Sequence, residues 1–185
     1  MVDDHPAVRV GLVALLRSEP GIVPIATAAG MQDAIERAQQ TRPEIALVDY
    51  DLGDGDGLAL CYQLKADAAP PGVLIYSAFA RDGLSLAARA AGADGLLDKG
   101  APPEDLFGAI RALAGHRRPP PEVTRDQLVV GARRLRSEDL PILGMLLDGA
   151  PRAEIAAILR LTQPQLDRRV HGILARLASP ARRAA

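Results

Sequence analysis

Asp49 closes the apolar run Ile45-Ala46-Leu47-Val48 and opens an acidic, glycine-rich stretch, Tyr50-Asp51-Leu52-Gly53-Asp54-Gly55-Asp56-Gly57. A buried strand that ends on a carboxylate places that group at the carboxyl edge of a sheet, where open α/β sheets bind ligands. Three further features point to the same pocket: Asp3 and Asp4 near the amino terminus, Ser77 after Gly72-Val73-Leu74-Ile75-Tyr76, and Lys99 after Gly95-Leu96-Leu97-Asp98. Taken singly, each has a plainer role. A carboxylate after a strand caps or turns the chain, Asp3 or Asp4 can cap a helix near Pro6, and a loop lysine is solvated. Together, on successive strand ends, they make a phosphoryl site. Carboxylates sharing a pocket repel unless a cation compensates them. Mg²⁺ suits that role, because it takes oxygen ligands and keeps waters that a phosphoryl oxygen replaces. Asp49 would attack phosphorus and form an aspartyl phosphate. The metal and Lys99 would neutralise the equatorial oxygens, and Ser77 would donate its hydroxyl.

The elements that must position these groups alternate in period. Helical spacing runs over Ala7–Leu16, Gln32–Gln40, about Leu58–Ala66, Gly83–Ala91 and from Pro102-Pro103-Glu104 to about Ala114. Strands are expected at Ile22–Ala28 and in the runs ending at Asp49, Ser77 and Lys99. Such alternation implies α/β architecture, a doubly wound parallel sheet of flavodoxin-like order 2-1-3-4-5. Only Met1 and Val2 precede Asp3, so the first strand is expected to be a stub, or the true start to lie upstream. From Gly115 the chain reads as a linker, with the stiff Arg117-Arg118-Pro119-Pro120-Pro121 and room for a short helix between Arg125 and Arg134. Three short helical patterns follow. Ser137 is placed to cap the first, which holds Leu140, Ile142, Leu143, Leu146 and Leu147 and stops at Asp148-Gly149. Pro151 starts the second and Thr162 caps the third, whose stripe is Leu166, Val170, Ile173, Leu174 and Leu177. Short helices joined by tight turns are the pattern of a helix-turn-helix.

Charge divides along the same line. Residues 1–116 carry 16 acidic and 9 basic side chains, a balance of −7, whereas residues 117–135 and 136–185 each carry a surplus of +3. An acidic front and a basic back suggest modules with different partners. The expected division is 1–116, a linker at 117–135, and 136–185. Cys61 is the only cysteine, which excludes disulfide scaffolds and cysteine zinc sites and makes a reducing cytoplasm the expected location. No signal peptide and no membrane-spanning run is present, so no membrane partner is expected.

The front half resembles the receiver domain of two-component response regulators. The resemblance rests on Asp3-Asp4-His5-Pro6, Leu47-Val48-Asp49, Asp56-Gly57, Ser77-Ala78, Ala91-Gly92-Ala93-Asp94-Gly95 and Lys99, and on the intervals between Asp49, Ser77 and Lys99. It implies that Asp49 accepts a phosphoryl group from a histidine kinase. It also implies Mg²⁺ held by Asp4, Asp49 and the backbone carbonyl of Asp51, with Asp3 acting through water. Gly53 stands where that family commonly has proline, and Leu96 where a switching Tyr or Phe is usual.

The back half, about residues 135–178, resembles the DNA-binding domain of LuxR/FixJ-type regulators, of the NarL-like kind. Gly149-Ala150-Pro151-Arg152-Ala153-Glu154-Ile155-Ala156 and Leu159-Arg160-Leu161-Thr162 carry that resemblance. It implies that the last helix enters the major groove of double-stranded DNA with Asp167, Arg168 and His171 facing bases. Arg152, Thr162, Arg168, Arg169, His171 and Arg176 are the expected DNA contacts. Asp167 stands where the family has lysine, and an aspartate is repelled by phosphates although it can accept from cytosine N4. A homodimer would lack the family's further helix, since Ser179-Pro180-Ala181-Arg182-Arg183 stands in its place.

The expected function is therefore transcription control by a response regulator. One alternative keeps the receiver and makes the tail a protein-interaction module. An enzymatic alternative rests on Asp49-Tyr50-Asp51, which also resembles the nucleophile motif of haloacid-dehalogenase-type phosphatases.

Overall fold

The apolar runs and the amphipathic segments between them assemble as an alternating α/β sheet in the computed structural model, which describes residues 1–78, 80, 84–115 and 120–179. In chain order these elements are α1 (Pro6–Arg17), α2 (Met31–Thr41), β1 (Ile45–Asp49) and a hairpin of β2 (Asp51–Leu52) and β3 (Gly55–Asp56). They continue as α3 (Gly57–Leu64), β4 (Gly72–Ser77), α4 (Ser85–Ala90), β5 (Gly95–Asp98) and α5 (Pro103–Ala114). The tail contributes α6 (Arg125–Ala132), a 3-10 turn (Ser137–Asp139), α7 (Leu140–Leu147), α8 (Arg152–Ile158) and α9 (Gln163–Ala178).

β1, β4 and β5 pair in parallel in that order, with Leu47 opposite Leu74 and Tyr76 opposite Leu97. On the other edge of β1, Val2 bridges Val48, and beyond it Ala28 bridges Val2. The spatial order is thus 2-1-3-4-5, with its first two members reduced to single bridges. The expected strand at Ile22–Ala28 does not form; only Ala28 pairs. A strand needs a partner along its length, and Val2 is the one residue bridged to this segment; Pro24 also removes a donor.

Side-chain alternation sets the two faces of the sheet. Ala46, Val48, Val73 and Ile75 enter a cluster shared with α2, α3 and α4. Leu47 and Leu74 point the other way, onto Leu12 and Leu16 of α1 and Leu106, Ala109 and Leu113 of α5. Helices thus cover both faces. The first cluster continues past the sheet: Leu86, Ala87, Ala88 and Ala90 bury α4 among residues that run on into Ile142, Ile155, Val170, Ile173 and Leu177 of the tail. α4 touches α6, α7 and α9, and α3 touches α9.

The tail matches its expected helices with one change. Ser137 opens the 3-10 turn without a capping bond, and Asp139 immediately precedes α7. Thr162 does precede α9, and its N–H donates to Gln165 Oε1 at 2.8 Å. The expected linker helix is α6. Gly83, Arg117, Arg118, Pro119 and the residues after Ser179 lie outside the described residues.

Gly57 opens α3 where the chain passes so close to β1 that a Cβ would overlap the carbonyl oxygen of Asp49. Its N–H donates to the Tyr50 carbonyl at 2.7 Å. Gly57→Ala therefore lowers the urea midpoint by the equivalent of about 2–3 kcal/mol with m unchanged. Gly53→Ala, whose Cβ meets only the Asp4 side chain at 3.5 Å, should stay within about 0.5 kcal/mol of the parent.

Candidate functional site

Parallel strands all end on the same edge, so the groups that follow them converge. Asp49 is the last residue of β1, Ser77 the last of β4, Lys99 follows β5, and Asp3 follows the Val2 bridge. Lys99 Nζ donates to Asp3 Oδ2 and to Asp49 Oδ2, each at 2.7 Å. Asp3 is 2% exposed and Asp49 7%, so one ammonium holds two carboxylates largely out of water. Backbone contacts fix the frame: the Lys99 N–H donates to the Ser77 carbonyl at 3.0 Å, and the His5 N–H donates to Asp3 Oδ1 at 2.9 Å. Ser77 is buried.

The charges are unequally satisfied. Burial pushes the Asp49 carboxyl above the usual carboxylate range, and the Asp3 charge adds to this, while the Lys99 bond pulls the other way. Burial works to lower Lys99, but its bonds to Asp3 and Asp49 outweigh it and hold the ammonium above the ordinary lysine range. The asymmetry is physical: the ammonium faces two anions, whereas the two anions share one cation.

A ligand atom from each of Asp3, Asp4, His5 and Asp49 lies within 4.8 Å of the others. His5 Nδ1 stands 2.6 Å from Asp4 Oδ1, outside hydrogen-bonding geometry, so that buried oxygen has no hydrogen-bond partner. An uncompensated oxygen beside two other carboxylates fits a hard divalent cation, and Mg²⁺ in particular. The Asp51 carboxylate is outside this group and exposed. Its acidic neighbours serve the fold: both Asp54 oxygens accept from the Met31 N–H at 2.9 Å, at the start of α2. Asp56 accepts from the Ala59 N–H at 2.7 Å and caps α3.

The residues expected to meet DNA are divided. Thr162 and Arg168 are exposed. Arg169 pairs with the buried Asp139 at 2.8 Å and with the Glu138 carbonyl at 2.6 Å, and Arg176 reaches Asp139 at 3.3 Å. Arg152 donates to Asp167 at 2.5 Å and lies over the Tyr62 ring, 3.7 Å from its centroid. Tyr62 also donates to Asp167 at 3.3 Å, and its ring meets His171 edge-on at 6.2 Å. Two of the three α9 positions expected to face bases, Asp167 and His171, therefore pack against Tyr62 of α3, and Arg168 does not. Sequence reasoning missed two members of these sites. His5 was visible as part of the Asp3-Asp4-His5-Pro6 motif; Tyr62 gave no signal beyond being an aromatic in an apolar helix.

Comparison with known proteins identifies the family and the fold. Residues 1–111 match the family profile of the response regulator receiver domain. The chain is 28% identical to the DNA-binding transcriptional activator DevR/DosR of Mycobacterium tuberculosis, over 98% of this chain and 88% of that protein. A solved LuxR-family two-component response regulator from Aurantimonas sp. superposes with a TM-score of 0.59 at 30% identity, over 71% of this chain and 94% of that one. RcsB from Salmonella enterica serovar Typhimurium, solved bound to promoter rprA, shares the fold over 96% of this chain and 90% of its own, with a TM-score of 0.57 at 18% identity. Among the described residues no helix is long and apolar enough to cross a membrane.

The unequal charges set opposite outcomes for two substitutions. Lys99→Met strands two buried carboxylates and should destabilise the fold by about 2–4 kcal/mol at pH 7. Asp49→Asn should raise the Tm at pH 7. A raised folded-state pKa means that ionised Asp49 costs stability once pH exceeds that pKa, and the cost disappears below the unfolded pKa. The gain from Asn should therefore shrink as pH falls through the carboxylate range. Thermal melts between pH 3.5 and 7.5 check both; a lower Tm for Asp49→Asn at pH 7 would refute the charge argument.

Proposed function

The chain belongs to the response regulator receiver family, and from that premise we propose that Asp49 takes a phosphoryl group from a histidine kinase and thereby controls how helices α7–α9 engage DNA in transcription. The observation that carries this is the Lys99 ammonium bridging Asp3 and Asp49 at 2.7 Å beside the uncompensated Asp4. An Asp49 oxygen attacks phosphorus as the P–N bond of the kinase phosphohistidine breaks, and the leaving imidazole is protonated. Lys99 exchanges the Asp49 oxygen for phosphoryl oxygens, and the Ser77 hydroxyl donates to the same group. Asp4, Asp49 and the Asp51 carbonyl, with Asp3 through water, are the residues to hold Mg²⁺, which when bound supplies positive charge against the phosphoryl oxygens. Nothing in this scheme turns over a substrate: the chain is a receiver, and the phosphatase alternative falls with that assignment.

Control follows from the closed arrangement of the tail. Asp167 and His171 lie against Tyr62, so major-groove entry by α9 requires separation from α3. Arg168 and Thr162 are free of that contact and are the first groups to meet phosphates; Arg152, Arg169 and Arg176 would exchange their carboxylate partners for DNA. Those existing pairs also favour a second reading, in which the tail binds a protein and never reads DNA.

Incubation with Mg²⁺ and acetyl phosphate should give one acid-stable, base-labile adduct, absent in Asp49→Asn and reduced at least tenfold in Asp4→Ala. Unchanged labelling of Asp49→Asn removes it from the mechanism. Mobility shifts against genomic fragments across a salt series separate the two outputs. Phosphorylated protein should bind with an affinity that falls steeply with salt, and absence of binding at the lowest salt leaves the protein-interaction reading.

A further inference from the structure

The helix that joins the two halves has two faces of different kind. α6 is firmly started by a reciprocal capping box: the Gln127 N–H donates to Thr124 Oγ1 at 3.2 Å, and the Thr124 N–H donates to Gln127 Oε1 at 2.8 Å. Its inner face is marked by Gly131, packed so closely that a Cβ there would overlap Leu86 of α4 and crowd Leu177 of α9. Arg134 also turns toward the tail and donates to the carbonyls of Leu177 and Ser179, at 3.1 and 2.6 Å. The linker helix is thus pinned where receiver and tail meet.

The outer face is Asp126, Val129, Val130 and Arg133, at the i, i+3, i+4, i+7 spacing of a single stripe, and all four are exposed. Val129 is 44% exposed and Val130 47%. β-branched residues are weaker helix formers than Ala, Leu or Arg, so the helix itself gains nothing from this pair. Among the described residues, neither the Asp126 carboxylate nor the Arg133 guanidinium has a partner. Seven residues of helix hold their backbones about 10 Å apart, so they do not meet within one chain.

We propose that this stripe is a pairing surface for a second copy of the chain, docked antiparallel about a two-fold axis through the middle of α6. Centring the axis between Val129 and Val130 sets Val129 of one copy against Val130 of the other. The same placement sets Asp126 against Arg133, once at each end. A parallel pair would instead oppose Asp126 to Asp126 and Arg133 to Arg133. The stripe is therefore complementary to itself in one direction only, as a two-fold interface requires. Arg134, turned onto the tail carbonyls, does not confront Arg125 of the second copy. Two short helices bury less than the roughly 800 Å² per partner of a standard interface, so the association is weak and reversible. It does not depend on the role of Asp49 or on what the tail binds.

Sedimentation velocity of the full chain tests this, over about 10 µM to 1 mM protein, a range suited to a weak contact. The parent should pass from monomer towards dimer across that range. Val130→Glu, Asp126→Arg and Arg133→Asp should each weaken pairing about tenfold or more, because every change is met twice in a two-fold contact. Mixing the Asp126→Arg chain with the Arg133→Asp chain should restore association, since each then offers the charge that the other lacks. The chain carrying both changes should pair with itself as the parent does. That rescue needs two chains, so altered stability of either variant does not produce it. A parent that stays monomeric at the highest concentration overturns the proposal. Dimerisation that the three single changes leave intact overturns it too, and so does a mixture no more associated than its components.

Discussion

Two buried carboxylates share a single ammonium at the carboxyl edge of this sheet, and a third carboxylate beside them has an oxygen with no hydrogen bond. Three anions against one cation is an arrangement that folding alone does not favour. It persists because the sheet places each group at a strand end, where the backbone fixes it before its charge is considered. The pocket is consequently short of positive charge. That shortage gives a divalent cation a place, and it leaves Lys99 able to trade one carboxylate oxygen for another anion's. The poorly satisfied groups are the carboxylates, and Lys99 is the cation that two of them share.

This edge was legible in the sequence because strand ends can be read from local pattern. A short apolar run followed by Asp49, Ser77 or Lys99 states both the strand and the position of the group, and parallel pairing does the rest. Ile22–Ala28 shows where local pattern fails. Its apolar residues suit a strand despite Pro24, yet pairing is a property of two segments, and only Met1, Val2 and Asp3 bond to it, at its carboxyl end. Ser137 fails for a milder reason: a serine before an apolar helix suits a cap, but the backbone takes a 3-10 turn and leaves the hydroxyl unused there.

The tail was legible as helices and opaque as a surface. Leu166, Val170, Ile173, Leu174 and Leu177 are the buried stripe that their spacing implies. The arginines between them look equally available in the sequence, because an arginine's partner is set by tertiary structure. Arg169 and Arg176 are committed to Asp139, some thirty residues away, and Asp167 takes Tyr62, from the other half of the chain. Asp167 looked anomalous as a groove-facing residue. Between Arg152 and Tyr62 it is an ordinary paired carboxylate.

The two halves meet through α4, a helix of small and branched apolar residues with β5 on one side and α9 on another. Ser77 ends β4, and α4 is the next helix in the chain. α4 is packed on the sheet side and on the tail side, and closely packed interiors transmit strain. Leu96 packs against this same cluster, an aliphatic contact where the family usually has an aromatic. Such a contact works as a switch only if the closed state lies within a few kcal/mol of the open one. The polar edge of the interface has contributions of both signs: Arg152 and Tyr62 both donate to Asp167. Arg152 Nε is buried there without a hydrogen-bond partner, which costs the closed state desolvation energy that exposure returns. The interface thus combines continuous apolar packing with a polar edge whose Arg152 is only partly satisfied.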